Sequence, residues 1–106
     1  METFREIATE AFKPLTDAGF FLKNEQGIRG IELIFIKKQD EEYRVAYEIY
    51  DTPACHRSEN GRIKETIPVP FEVKGGEGGN LLATHQEQLR SWCVALVKTI
   101  INNEKS

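Results

Sequence analysis

The sequence has few of the residues on which specialised sites depend. Its 106 residues include only two cysteines and two histidines, at positions 55, 93, 56 and 85. Structural zinc sites need four ligands at short, recognisable spacings, and these four do not have such spacings. We therefore expect no metal and no cofactor. Two cysteines in a chain without a secretory signal are more typical of free thiols than of a disulfide.

Long apolar runs and a strong charge excess are also missing. No run approaches the ~18 apolar residues of a membrane helix, and the first ten residues, METFREIATE, contain no apolar signal-peptide core. The net charge is −3, whereas a general nucleic-acid binder would carry a basic excess. We therefore expect a cytoplasmic protein that binds neither membranes nor nucleic acids.

Motifs for phosphate binding and nucleophilic catalysis are incomplete. The glycine-rich segment 75–80 precedes a predicted helix, as phosphate-binding loops do. However, it lacks the Lys-Ser/Thr of a P-loop and the third glycine of a dinucleotide loop, and Glu77 would repel a phosphate. Cys55 and His56 are neighbours in a predicted strand and should point to opposite faces, and His85 is expected at the surface. We expect no catalytic residue. The alternative is a domain, enzymatic or not, that binds a small ligand or an anion through residues 75–80.

Two amphipathic helices are predicted, one near each end of the chain. The first begins with a Thr-x-x-Glu capping box at Thr3 and carries an apolar stripe up to Leu15. Pro14 predicts a kink, or a helix that ends near Phe12 and is followed by a short second turn. The last helix follows a capping threonine, Thr84, and its apolar stripe consists of Leu89, Trp92, Cys93, Leu96, Val97, Ile100 and Ile101.

A central hairpin is predicted between residues 31–38, IELIFIKK, and 43–51, YRVAYEIYD, because both segments have the residue types and alternation of strands. A three-residue loop, Asp40-Glu41-Glu42, would pair the odd-numbered apolar residues of both strands and bury them against the helices. A two- or four-residue loop would mix the faces. The loop lacks the glycine that three-residue hairpin loops usually contain, which counts against this register.

Further strands follow from turn signals. Asn60-Gly61 predicts a type I′ turn between strands at 54–59 and 62–67. Short strands are predicted at 20–23 and 71–74. Residues 1–106 are thus expected to form a single α+β domain, with an antiparallel sheet of four to five strands and an N-terminal and a C-terminal helix packed on one face.

With that register, the even-numbered side of the central hairpin is open unless a third layer or one of the helices covers it. Apolar side chains mix there with charges, as on protein-binding surfaces. Residues 1–55 carry 7 basic and 11 acidic groups, whereas residues 56–106 carry 7 and 6, so this surface lies in the more acidic half. The predicted partner-binding residues are Ile34, Ile36, Glu48 and Tyr50 on this side, with the exposed acidic loop Asp40, Glu41 and Glu42.

The stretch FREIATEAFKPLTDAGFF, residues 4–21, resembles the start of small bacterial immunity-protein domains of polymorphic toxin systems. The matching positions are Phe4, Phe12, Lys13, Pro14, Leu15, Gly19 and Phe20, which are structural, so no functional site is carried over. The resemblance implies a non-enzymatic inhibitor. We therefore expect a protein-binding module, an immunity protein or antitoxin that inhibits a bacterial toxin; a homodimer is compatible with this expectation.

Overall fold

The computed structural model describes residues 3–48, 53–69, 73 and 83–105. Within these ranges the α-helices are α1 (Phe4–Ala11), α2 (Lys13–Asp17) and α3 (Ala83–Lys105), and a short 3-10 helix spans Ile28–Gly30. The strands are β1 (Phe21–Gln26), β2 (Glu32–Lys38), β3 (Glu41–Tyr47), β4 (Ala54–Glu59) and β5 (Arg62–Thr66). The strands form one antiparallel sheet in the order β1-β2-β3-β4-β5. The predicted α+β class, with an antiparallel sheet and a helix towards each end, is confirmed.

The N-terminal helix breaks next to Pro14, as predicted. The backbone N–H of Glu6 donates to Thr3 Oγ1 over 3.2 Å and caps α1. α1 ends at Ala11, and Pro14 lies in the first turn of α2, where its missing N–H leaves no helical hydrogen bond unmade. Gly19 then has a φ of +97°, a conformation that glycine adopts without strain, and the chain turns into β1.

The turn between β2 and β3 contains two residues, 39–40, and not the predicted three. Ile36 therefore pairs with Tyr43, and Ile34 with Val45. Even-numbered residues of β2 share a face with odd-numbered residues of β3. The prediction that the odd-numbered residues of β2 would face the helices is wrong, because one residue fewer in the turn moves every β2 side chain to the other face.

The core lies between this face of the sheet and the helices. Ile34 and Ile36 are only 2% and 0% exposed, and they belong to one apolar cluster with α1, α2 and α3. Fully burying one such side chain stabilises the fold by roughly 1.5–3 kcal/mol. The predicted stripe of α3 is confirmed, with Ile101 half-buried and the following residues buried: Leu89, Trp92, Cys93, Leu96, Val97 and Ile100.

A bulge in the β4–β5 hairpin replaces a repulsive cross-strand pair by an attractive one. The Asn60-Gly61 turn is confirmed, with φ values of 53° and 78°. A regular two-residue hairpin would place Arg57 opposite Lys64, and like charges in that position destabilise a sheet. The register shifts between Arg57 and Ser58, so that Arg57 lies opposite Glu65 and its Nε donates to Glu65 Oε1 over 2.8 Å.

Two predictions concern segments outside the described residues. The predicted strand at 71–74 is described only at Val73, which is buried. The glycine-rich segment 75–80 is not described at all. Of the helices in the described ranges, none has a stretch both long enough and apolar enough to cross a membrane.

Gln39 occupies a backbone position that favours glycine. Its φ is 55°, whereas Asp40 is not among the residues with positive φ, and this combination is typical of a type II′ turn. Gln39→Gly should therefore raise the free energy of unfolding by about 0.5–1 kcal/mol, measured by urea denaturation. Asp40→Gly is the matched control and should give no gain. Equal gains from the two substitutions would contradict this description of the turn.

Candidate binding surface

The structure separates the predicted partner-binding residues. Ile34 and Ile36 lie in the core under the helices, so the prediction that they contact a partner is wrong; the two-residue turn puts them on the covered face. Asp40 is exposed in the turn, and Glu48 is exposed just after β3. Tyr50 lies outside the described residues.

Glu42 is engaged within the outer face of the sheet, the face opposite the helices. Its carboxylate lies 3.5 Å from Lys37 Nζ and accepts a 2.7 Å hydrogen bond from Ser58 Oγ. Ser58 is 2% exposed, so the serine end of this bond is shielded from water. Glu42 thus links β2, β3 and β4, and its contacts give it a structural role.

Four other carboxylates meet at one end of the sheet, which we call the acidic end: Asp40, Glu41, Glu59 and Glu104. Glu41, the first residue of β3, lies directly opposite Glu59, the last residue of β4. Glu104, in the last turn of α3, is hydrogen-bonded through its side chain to Glu41. The turn, two strands and the last helix therefore all contribute negative charge to the same place.

The charges at the acidic end oppose one another. The hydrogen bond with Glu41 raises the pKa of Glu104, burial and the charge of Glu41 raise it further, and Lys38 opposes the change. Burial and then the charges of Glu41 and Glu104 raise the pKa of Tyr43 to about 12, although the charge of Arg57 and a hydrogen bond with Asn103 act to lower it. Like charges directly opposite each other in an antiparallel pair, as Glu41 and Glu59 are, destabilise the sheet. Packing of α3 on the sheet holds these groups together against their repulsion.

A groove of about 240 Å³ lies beside the acidic end, between the two hairpin turns. Gln39 and Asp40 line it from one turn, and Asn60 and Gly61 line it from the other. Its volume is below the roughly 300 Å³ at which small-molecule pockets begin. A groove of this size suits a side chain of a partner protein better than a free ligand.

The sequence did not predict two residues of the acidic end, Glu59 and Glu104. The Asn60-Gly61 signal does place Glu59 at a hairpin tip, but no turn of predictable length sets the register of β3 against β4. Glu104 lies on a helix whose stripe fixes its buried side and not its position along the sheet. The Asn-Gly signal was thus the only sequence indication for either residue.

The outer face of the sheet carries the mixture of apolar and charged groups that was predicted for an open face. The even-numbered residues of β3, such as Arg44, lie there as predicted, whereas β2 contributes its odd-numbered residues instead of its even-numbered ones. Phe35 is half-buried at its centre, with Lys37 Nζ 5.8 Å and Arg44 Cζ 5.3 Å from its ring centroid. At its two edges Phe21 is 78% exposed and Ile63 is 59% exposed. Cations therefore flank the ring at the centre of this face, and its most exposed apolar groups lie on the edge strands.

A buried polar cluster lies at the other end of the sheet. His85 is 3% exposed, so the prediction that it lies at the surface is wrong; its Nε2 is hydrogen-bonded to Tyr47 Oη over 3.1 Å. Tyr47 also stacks on Phe4, with ring centroids 4.4 Å apart. Glu32 lies directly opposite Tyr47. Glu32 Oε2 and His85 Nδ1 are buried, and neither has a hydrogen-bond partner in the part of the chain that the structure describes. This cluster joins α1, the sheet and α3.

Both cysteines are free and buried. Burial raises the pKa of Cys55 and of Cys93 to about 12, so neither is a thiolate at neutral pH. His56 lies on the outer face, where its Nδ1 is 3.1 Å from Thr66 Oγ1, whereas Cys55 faces the helices. The prediction that these neighbours point to opposite faces is confirmed. Among the described residues, no group of three or more His, Cys, Asp and Glu side chains could hold a metal ion.

Replacing Glu104 by glutamine should stabilise the fold. The amide can still donate to Glu41 while one of the opposing charges is removed, and we expect a gain of about 0.5 kcal/mol in the free energy of unfolding at neutral pH. A raised folded-state pKa favours proton binding to the folded chain, so the wild type becomes relatively more stable as the pH falls. The gain should therefore shrink on acidification to about pH 4, measured by urea denaturation.

The control for this prediction is Glu48→Gln, which removes an exposed charge at the opposite end of β3. It should leave the free energy of unfolding nearly unchanged. A loss of stability in Glu104→Gln, or a gain that grows on acidification, would show that the carboxylates do not oppose one another.

The hydrogen bond between Tyr47 and His85 should be visible as a coupling energy. Tyr47→Phe removes the partner of a buried ring nitrogen and should cost about 1–2 kcal/mol. The same substitution should cost less once His85→Leu has removed the ring. A double-mutant cycle by urea denaturation should give a coupling of about 1 kcal/mol, and additive effects would contradict the bond.

Comparison with known proteins does not assign a function to the acidic end. No protein-family model, no curated protein and no solved structure matches the chain. A function for this surface therefore has to be inferred from its own contacts and charges.

Proposed function

We propose that this chain is a non-enzymatic protein-binding module and that its contact surface is the acidic end. One observation carries the proposal: opposed carboxylates from three elements are held together although they repel one another. Proteins commonly give up stability at the surfaces that serve their function, since a surface optimised for binding is not optimised for the isolated fold. A basic partner would neutralise these charges.

The charges at this surface are accessible to a partner. Asp40 and Glu59 are exposed and Glu41 is half-buried. Two cations offset part of this charge: Lys38, which lies directly opposite Glu41 and donates from Nζ to the Ala18 carbonyl over 3.2 Å, and Arg57, whose charge interacts with Glu41. A concentrated negative potential of this kind steers a positively charged partner and accelerates association.

The partner we propose is a bacterial toxin with a basic substrate cleft, which the acidic end would block, as an immunity protein or antitoxin in the cytoplasm does. The resemblance of residues 4–21 to immunity-protein domains suggested this class. Within that segment the helix breaks next to Pro14, Gly19 has a positive φ, and Phe20 is buried. The proposed contact surface adjoins that segment through Lys38, which lies opposite Glu41 and whose Nζ is 5.1 Å from the centroid of the Phe20 ring.

The experiment begins with native purification of the tagged chain from its own cells, followed by mass spectrometry to identify a stoichiometric partner protein. Association of the purified pair is then followed by stopped flow over a range of salt concentrations. Wild type should associate more slowly as salt rises. Asp40→Lys should associate about tenfold more slowly at low salt and show a weaker salt dependence.

Glu10→Lys is the matched control, because it reverses one exposed charge on the helix layer. Its partner Arg90 lies 14 residues before Glu104 on α3, about 21 Å along the helix axis. This variant should associate nearly as the wild type does. If Asp40→Lys and Glu10→Lys have the same effect, or if no protein co-purifies at stoichiometric amounts, the acidic end is not the contact surface.

A further inference from the structure

Among the described residues, the first strand of the sheet forms a regular edge. β1 pairs with β2 through six consecutive residues without a register shift, and it occupies one end of the strand order. All of its residues except the half-buried Leu22 are exposed. Unpaired backbone groups along a regular edge can bind another strand.

The backbone direction of β1 shows which groups are available. The N–H of Gly27 donates to the Ile31 carbonyl over 2.7 Å, and Gly27 continues the β1–β2 register. In an antiparallel ladder the direction of these groups alternates, so odd-numbered residues of β1 bond to β2. Leu22, Asn24 and Gln26 therefore direct their N–H and C=O groups away from the sheet.

These outward groups fit a second copy of the same strand. Two β1 strands related by a twofold axis at Asn24 place Leu22 opposite Gln26 and Asn24 opposite Asn24, so that each outward residue meets an outward residue. Lys23 then lies opposite Glu25 twice, and opposite charges across strands are favourable. Moving the register by two residues in either direction would place Lys23 opposite Lys23, or Glu25 opposite Glu25, so charge selects this register.

The same register gives the exposed aromatic ring of β1 a place to pack. It puts Phe21, which is 78% exposed, opposite Gly27 of the second copy. Gly27 is extended, with a φ of −87° and a ψ of −173°, and has no side chain, so the ring can cover its backbone. Pairing an aromatic residue with a glycine across strands is a known way to stabilise an edge.

The opposite edge of the sheet lacks this self-complementarity. The β4–β5 ladder is shifted by a bulge next to Lys64, and bulges twist an edge away from regular pairing. β5 has three charged residues among its five, with Arg62 and Lys64 both basic. Of the two edges, β1 is the one that matches itself.

We propose that β1 is a homodimerisation edge, which joins two copies of this chain into a continuous ten-stranded antiparallel sheet about a twofold axis at Asn24. The interface consists of main-chain hydrogen bonds, two Lys23–Glu25 pairs and two Phe21–Gly27 contacts. Because it is smaller than a standard stable interface, the dimer is in concentration-dependent equilibrium with the monomer. The acidic ends lie at the Phe21 ends of the two β1 strands and so remain free on opposite sides of the axis.

Sedimentation velocity of the full chain, from micromolar concentration to about 1 mM, tests the proposal. The wild type should shift from monomer to dimer over this range. Asn24→Pro removes an outward N–H that makes no bond within the sheet and should abolish the shift. Lys23→Glu places like charges opposite each other twice and should raise the dissociation constant about tenfold.

A charge exchange supplies the decisive comparison. Glu25→Lys alone should weaken the dimer as Lys23→Glu does, while the double variant Lys23→Glu/Glu25→Lys should restore it, because the opposite pairs are re-formed with their signs exchanged. The two single variants, when mixed, should form a heterodimer. Lys64→Glu, on the other edge, is the matched control and should dimerise as the wild type does.

Either of two results would overturn the proposal. One is a wild-type chain that stays monomeric over the whole concentration range. The other is a dimer that Asn24→Pro and Lys23→Glu leave intact, because that dimer would use a different surface. Neither result bears on the acidic end, whose test is the salt-dependent binding of a different protein.

Discussion

The two-residue turn between β2 and β3 is the constraint on which the rest of the structure depends. A strand has a period of two, so the number of residues in this turn decides which half of β2 is buried. With Gln39 and Asp40 in the turn, Ile34 and Ile36 enter the core and Phe35 faces outwards. The turn obtains this geometry by holding Gln39 at a positive φ, a strain that the apolar packing of the covered face offsets.

The acidic end follows from the same register. Because Glu41 begins β3 immediately after the turn, its side chain falls on the helix side, opposite Glu59 and beside Glu104. Had the turn contained three residues, Glu41 would have remained in the loop. The register thus fixes where these charges lie, and the packing energy of the core exceeds their repulsion.

Much of the fold could be predicted from local signals, whereas the site could be predicted only in part. Three predicted features each depend on a few neighbouring residues, and all are confirmed: the helix break next to Pro14, the turn at Asn60-Gly61 and the apolar stripe of α3. Which face of β2 is buried could not be predicted correctly, since both faces are apolar and the turn contains no glycine that would indicate its length. The burial of His85 depends on Tyr47, 38 residues away, and no local pattern indicates such a contact.

The register of β2 against β3 is therefore the central claim, and nuclear Overhauser effects between the two strands test it most directly. In the structure Phe35 lies opposite Arg44, in a pair that makes no direct backbone hydrogen bonds. The α-protons of such a pair are close, so a strong effect between Phe35 and Arg44 is predicted. An effect that joins Phe35 to Tyr47 would show a three-residue turn, return Ile34 and Ile36 to the outer face, and contradict the account.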